Sequence, residues 1–333
     1  MINTNLMTDN VKNDRMGATM CQLDITKDLA CKTSYNDNSW FAVGRYEVEG
    51  HVINMLFHLM EMKLPVLGGF YQSVVTVFDE TTGFYYAKDY LYRPKQVEIH
   101  DKDFFIKVPN GSMSGDWDKM KIQVSEGDIY VDIEAIAIHY PILIGGNSVI
   151  DICDMCIHEF SVPRMVTKGT ITVDGKKYDI TDKGYTWFDR QWQNINYMHS
   201  TMKWSWMAIQ LDSGEIFSVF DTNLPGKEDN VLAMLEEDGT QINLRHIPAF
   251  VNGEKEYWLS EKSKQKYPVK WDLKIPQLDA QFEIIPIKKE QEIVSTLGEL
   301  NKYEGNCTVS GMYKGRKVTG HALVELIGHW NER

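Results

Sequence analysis

The feature that most constrains this chain is its punctuation. Short apolar and aromatic runs are cut about every 8–12 residues by clusters of Gly, Asp, Asn and Glu, the grammar of antiparallel strands joined by tight turns. Residues 39–48, the turn Glu49-Gly50-His51 and residues 52–60 read as a hairpin. Residues 70–78 and 84–92 flank a second turn, Asp79-Glu80-Thr81-Thr82-Gly83. Shorter strands follow at 97–99, 104–108, 120–125 and 129–139, the last two around Glu126-Gly127-Asp128. Past Pro141 the pattern loosens through Gly145-Gly146-Asn147, and residues 157–165 read as an extended run broken by Pro163. The clearest hairpin is 170–173 with 176–180, because Asp174-Gly175 suits a type I′ turn. The meander then restarts with 202–211 and 215–221, 231–236 and 241–246, 256–259, 270–275, 281–286, 303–309, 311–317 and 319–327. No amphipathic helix longer than about three turns is read, only a short one over 290–301.

At 333 residues the chain is long for one all-β domain and comfortable for two. The formal net charge of -12 argues against nucleic acid and anionic membranes as main partners, since both demand basic patches. Residues 1–15 are polar and lack the apolar core of a secretory signal, and no run reaches the length of a membrane helix. A cytoplasmic protein is expected. Five cysteines, Cys21, Cys31, Cys153, Cys156 and Cys307, are too few and too scattered for a disulfide framework and read as free thiols. Met55, Met60 and Met62, and again Met198, Met202 and Met207, either fill cores or line an adaptable pocket.

One stretch departs from plain strand chemistry. Along residues 184–192, alternation puts Tyr185, Trp187, Asp189 and Gln191 on one face and Thr186, Phe188, Arg190 and Trp192 on the other. The first face mixes two large rings with an acid and an amide. It suits a polar group held inside an aromatic-lined cavity, or an acid ion-paired to a neighbour at a domain joint. Trp204 and Trp206 share a face and either line a cavity for a flat or long apolar ligand or fill a core. Glu304 opens a strand of otherwise small or β-branched residues; it is either a surface acid or a buried one in need of a partner.

Other chemistries leave little trace. Cys153, Cys156 and His158 lack the second ligand pair of a zinc site and read as a structural loop. There is no HExxH motif and no Gly-x-Ser-x-Gly elbow. Gly68-Gly69 and Gly145-Gly146 lack the strand–loop–helix setting of a phosphate cradle. Neither a cofactor nor a metal is expected.

Four segments in order carry a family resemblance. They are Trp40-Phe41-Ala42-Val43-Gly44 with Glu49-Gly50-His51; Phe160-Ser161-Val162-Pro163-Arg164-Met165 with Gly169 and Asp174-Gly175; Trp187-Phe188-Asp189-Arg190-Gln191-Trp192 with Trp204-Ser205-Trp206; and Tyr303-Glu304-Gly305 through Gly320, Glu325 and Gly328. Together they resemble the AttH-like family, which includes carotenoid hydratases (hydroxyneurosporene synthase) and lipocalin-like Diels–Alderases, over residues 39–329. The resemblance implies an all-β fold of two lipocalin-like antiparallel β-barrel domains side by side. The boundaries expected are an N-terminal arm at 1–38, a first barrel at 39–192 and a second at 193–333.

It also implies an enzyme that hydrates, isomerises or cyclises a hydrophobic isoprenoid- or polyketide-like molecule. Asp189 would be the acid, Trp187 its neighbour, and Tyr185, Gln191, Trp204, Trp206, Phe160 and Glu304 substrate contacts. Protonating an alkene calls for an acid kept protonated by an apolar site and for aromatic faces around the cation. A cyclase would instead fold a polyene and hold it reactive. The alternatives are a non-catalytic carrier of an apolar ligand and, third, a hydrolase. Two departures matter. Arg190 stands where relatives tend to have His, and Gln193 where they tend to have Gly. Arg does not shuttle protons near neutral pH.

Overall fold

The computed structural model describes residues 6–8, 23–64, 68–152, 155–181, 183–195, 203–222, 230–245, 256–298 and 301–330. Cys21, Cys153, Met198 and Met202 lie outside them. The chain divides into two compact units. One comprises Gln22–Pro141 and Ile157–Tyr197, the other Met1–Cys21, Ile142–Cys156 and Met198–Arg333. They are called here, after their buried acids, the Asp189 unit and the Glu304 unit. Each is built on a curled, almost wholly antiparallel sheet, a half-barrel of lipocalin type, so the all-β expectation holds. Among the described residues, no helix is long and apolar enough to cross a membrane.

In the Asp189 unit the strands run across the sheet as Tyr85–Tyr92, Gly68–Asp79, His51–Leu64, Asp37–Val48, Gly184–Gln193, Met155–Val173, Ile129–Ile136, Lys119–Glu126, Gly111–Asp116, Phe104–Val108 and Glu98–Ile99. Gly184–Gln193 is therefore an interior strand, paired with Asp37–Val48 on one side and Met155–Val173 on the other. Curling brings Phe104 to within 5.5 Å, ring to ring, of Phe188. Phe188, Ala42 and Phe57 lie directly opposite one another on successive strands and are all fully buried. That face is the core. Trp187 and Asp189 point to the opposite one.

Glycines sit where a side chain has no room. A Cβ on Gly44 would lie 1.9 Å from the Tyr46 hydroxyl, whose ring folds back over its neighbour two residues away. Gly305 and Tyr303 repeat the device in the Glu304 unit, at 2.3 Å. The Asp174-Gly175 turn has φ of 49° and 75°, both left-handed, as a type I′ turn requires.

The Glu304 unit runs Gln241–Arg245, Val231–Leu235, Ile216–Thr222, Trp204–Leu211, Arg316–Ile327, Lys302–Tyr313, Ala280–Pro286 and Trp271–Ile275, with Leu6–Thr8 added in parallel at the first edge. Its core gathers Met207, Ile209, Phe217, Phe282, Tyr303 and Val324. Trp204, Trp206 and Glu304 alternate with those residues and face the other way.

Three local expectations change. Residues 157–165 are not interrupted at Pro163: Met155–Val173 is one strand of 19 residues that absorbs Pro163 and Arg164 as a bulge. Residues 303–317 do not break at Gly311, which lies within Lys302–Tyr313, where a Cβ would strike the Gln281 carbonyl at 2.0 Å; the turn falls at Lys314-Gly315. The helix expected over 290–301 is not formed among the described residues. Glu292–Ile293 is a strand, because the buried Glu292 carboxylate is held by Ser260, Ser263 and Tyr267.

Candidate active site

Asp189 is 6% exposed, and its Oδ1 accepts a 2.7 Å hydrogen bond from Trp187 Nε1. Two residues apart on a strand, both side chains stand on one face, so the indole reaches the carboxyl with no turn or loop between. Register extends this face sideways. Asp189 lies opposite Ser161 on one neighbouring strand and Phe41 on the other, and Phe41 lies opposite His58. His58 is buried, its Nε2 is 2.7 Å from Ser39 Oγ, and its ring meets Phe41 edge to face at 4.9 Å. Ser161 is fully buried, and its Oγ has no hydrogen-bond partner among the described residues. One row of the sheet thus carries a hydroxyl, a carboxyl, an aromatic ring and an imidazole in turn. One row along, Gln191 Nε2 donates to Glu159 Oε2 at 3.0 Å. Tyr185, at the other end of the face, is 38% exposed, with the Arg164 guanidinium 5.9 Å from its ring centre.

Arg190 has the opposite orientation. Its Nε donates to the Asp28 carbonyl, Nη1 to the carbonyls of Ser39 and Gln191, and Nη2 to the Ala30 carbonyl and Asn38 Oδ1. The guanidinium lies over Trp40 at 4.3 Å and Trp192 at 5.1 Å. Burial pulls its pKa down, to about 9, against the nearby Cys31, Asp28, Asp37 and Glu61. The five acceptors and the two rings hold the charged form in place. Asp189 and Arg190 therefore share no ion pair, as their alternation on the strand implies.

Of the other residues singled out in the sequence, Phe160 is fully buried opposite Arg190, on the core face, against Trp192. Trp204, Trp206 and Glu304 belong to the other unit and come together there. Trp206 lies opposite Glu325, and Glu325 opposite Glu304. Trp204 Nε1 donates to Glu325 Oε1 at 3.1 Å, and Trp206 Nε1 to Ser218 Oγ at 3.0 Å. Lys302 Nζ stands 2.8 Å from Glu304 Oε1 and 3.7 Å from Glu325 Oε2. Burial raises the Glu304 pKa well above the usual carboxylate value; Lys302 opposes the rise and Glu325 adds to it. Neither Lys302 nor Glu325 was singled out as a site residue in the sequence. Nor were His58, Ser39, Ser161 or Arg164. Ser161, Arg164 and Glu325 stand in segments that carry the family resemblance, and His58 interrupts the apolar run Met55-Leu56-Phe57-His58-Leu59-Met60.

A lipocalin-type half-barrel with a buried acid–indole pair turned away from its core defines the structural class. The chain belongs to the AttH-like family, whose model matches residues 67–329. It is 24% identical to the Dehydratase asqC of Emericella nidulans over 231 residues, 65% of this chain and 63% of that protein. It is 27% identical to the Kievitone hydratase of Fusarium solani subsp. phaseoli over 172 residues, 51% of this chain and 49% of that one. The matches thus span less than two thirds of either relative. Among solved structures, kievitone hydratase from Nectria haematococca superposes with a TM-score of 0.78 at 20% identity, covering 93% of this chain and 94% of that one.

Proposed function

We propose that this chain is a lyase-type enzyme that adds water to, or removes it from, a hydrophobic small molecule, with Asp189 as the proton-transfer group. The observation that carries the reading is the 2.7 Å Trp187–Asp189 hydrogen bond on a buried face shared with Phe41 and His58. Two relatives named as a dehydratase and a hydratase support the same reaction class.

In the hydration direction the Asp189 carboxyl gives its proton to one alkene carbon, and the π electrons form the new C–H bond. The cation left on the neighbouring carbon faces the rings of Trp187 and Phe41. Water adds to that carbon and loses a proton to His58, which the Ser39 hydroxyl orients. Two strand spacings, about 10 Å, separate the Asp189 and His58 positions across the sheet. Phe41 shares the row on the strand between them. Solvent exchange returns the proton to Asp189, and dehydration runs the same steps backwards.

The test is incubation of the full chain with a panel of hydrophobic alkenes and alcohols in water labelled at oxygen. An enzyme yields products changed by one water, with labelled oxygen in the hydrated ones. A non-catalytic carrier returns every compound unchanged, and that result overturns the proposal.

A further inference from the structure

The Pro163-Arg164 bulge lies beside this face, and its geometry is costly. Val162 pairs with Phe188 and Met165 with Thr186, so Pro163 and Arg164 together stand opposite Trp187 alone. Arg164 has φ of 48°. Among the described residues it is the one non-glycine residue within a strand that adopts the left-handed region; the others with positive φ sit in turns and loops. A long side chain is poorly suited to that conformation, and such outliers concentrate where a side chain must be aimed. Bulges re-aim side chains in the same way.

Here the outcome is specific. The Arg164 guanidinium is placed 5.9 Å from the Tyr185 ring, on the Asp189 side of the sheet. Tyr185 is 38% exposed; opposite it stands the half-buried Val166, and opposite that Ile136, also 38% exposed. The row thus reads Arg45, Tyr185, Val166, Ile136 and Lys119, an apolar, partly open middle beside the Arg164 guanidinium, with Arg45 ion-paired to Glu47 and Glu80 and Lys119 to Glu134. The nearby His139 does not compete for an anion as a second charge, because burial and then the Arg164 charge lower its pKa. Tyr185 lies four residues from Asp189, about 13 Å along the strand.

From this placement we infer that Arg164 is a substrate-binding residue, and that the molecule acted on is an amphiphilic acid. Its anionic group is held by the Arg164 guanidinium over the Tyr185–Ile136 rim, and its hydrophobic body runs along the face toward Trp187 and Asp189. The inference rests on the reading of that face as the substrate face. A planar guanidinium holds carboxylate, phenolate or sulfonate oxygens in a fixed direction, which sets how far along the strand the reacting carbons fall.

Two probes that differ in the anion test it: 8-anilinonaphthalene-1-sulfonate and the neutral N-phenyl-1-naphthylamine, titrated by fluorescence against the full chain. The wild-type protein is expected to prefer the sulfonate. Arg164→Gln should weaken the sulfonate about tenfold, as expected for one charge-assisted hydrogen bond, and leave the neutral probe within about twofold. Arg164→Gly removes the same charge while relieving the left-handed backbone, so it reports on the site even if the glutamine variant folds poorly. Sulfonate binding unchanged in Arg164→Gly, or a parallel loss of both probes in that variant, overturns the inference. If no water transfer is ever found while the sulfonate preference persists and is lost in Arg164→Gly, the chemistry assigned to Asp189 fails and the binding role of Arg164 stands.

Discussion

Asp189 and Arg190 are neighbours on one strand, both buried, yet their surroundings differ in kind. Arg190 spends all five of its N–H donors, four on main-chain carbonyls and one on Asn38. Two of those acceptors, Asp28 and Ala30, lie in the segment that leads into Asp37–Val48, and Asn38 and Ser39 lie in that strand, so the guanidinium pins the segment to the sheet. Carbonyls bring no exchangeable proton. Asp189 instead takes an indole N–H from its own strand and faces a row that holds a hydroxyl and an imidazole. A buried ionisable side chain is scaffold when its partners are fixed backbone, and a candidate for chemistry when titratable side chains share its face. The comparison also bears on the departure from the family pattern. The position where relatives tend to have His points to the core, so its replacement by Arg leaves the Asp189 face intact.

The largest test of the contrast is Arg190→Met. It strands buried carbonyls and Asn38 without donors and should cost about 3–5 kcal/mol in urea unfolding. A loss under about 1 kcal/mol would deny Arg190 its scaffold role. Asp79 offers a smaller, pH-resolved counterpart, a buried carboxylate whose work is structural. Burial pushes its pKa up, but hydrogen bonds from His51, Thr82 and the Thr81 amide outweigh that and leave it below the usual range. The native state thus binds this proton less readily than the unfolded chain. The stabilisation is present above the unfolded pKa of about 4 and is lost as pH falls through the folded value. Asp79→Asn should cost about 1–2 kcal/mol near neutral pH and flatten the acid limb of a stability–pH curve. An unaltered acid limb would remove Asp79 from the account. The smallest effect belongs to Ser161→Ala. Deleting a buried hydroxyl that has no partner among the described residues should leave stability unchanged or raise it by up to about 1 kcal/mol. Turnover should still fall severalfold if that hydroxyl meets substrate, and full retention of turnover would place Ser161 outside the site.

Much of the fold was legible because turns announce themselves. Asp174-Gly175 and the hairpins around 49–51 and 126–128 needed no information beyond a few neighbouring residues. The strand Gly111–Asp116 was missed, since Gly-Ser-Met-Ser-Gly-Asp has no β-branched residue and is held by pairing on both sides. Pro163 reads as a break because a proline in a ladder costs a hydrogen bond, and a bulge is how the sheet accommodates it. Residues 290–301 read as a helix because the partners of Glu292 lie at 260, 263 and 267, outside any local window. The site was half visible for the same reason. Trp187 and Asp189 are two residues apart and announce one face, whereas His58, Ser161 and Arg164 join it through strand register and a bulge.

The central claim is that Asp189 moves a proton while Arg190 holds the scaffold. The most direct measurement is turnover and unfolding free energy of Asp189→Asn, taken together, on whichever compound the labelled-water panel yields. The variant should keep stability within about 1 kcal/mol and lose turnover by about 10²–10⁴-fold, the usual scale of a lost acid–base group. Wild-type turnover in a folded Asp189→Asn protein would contradict it.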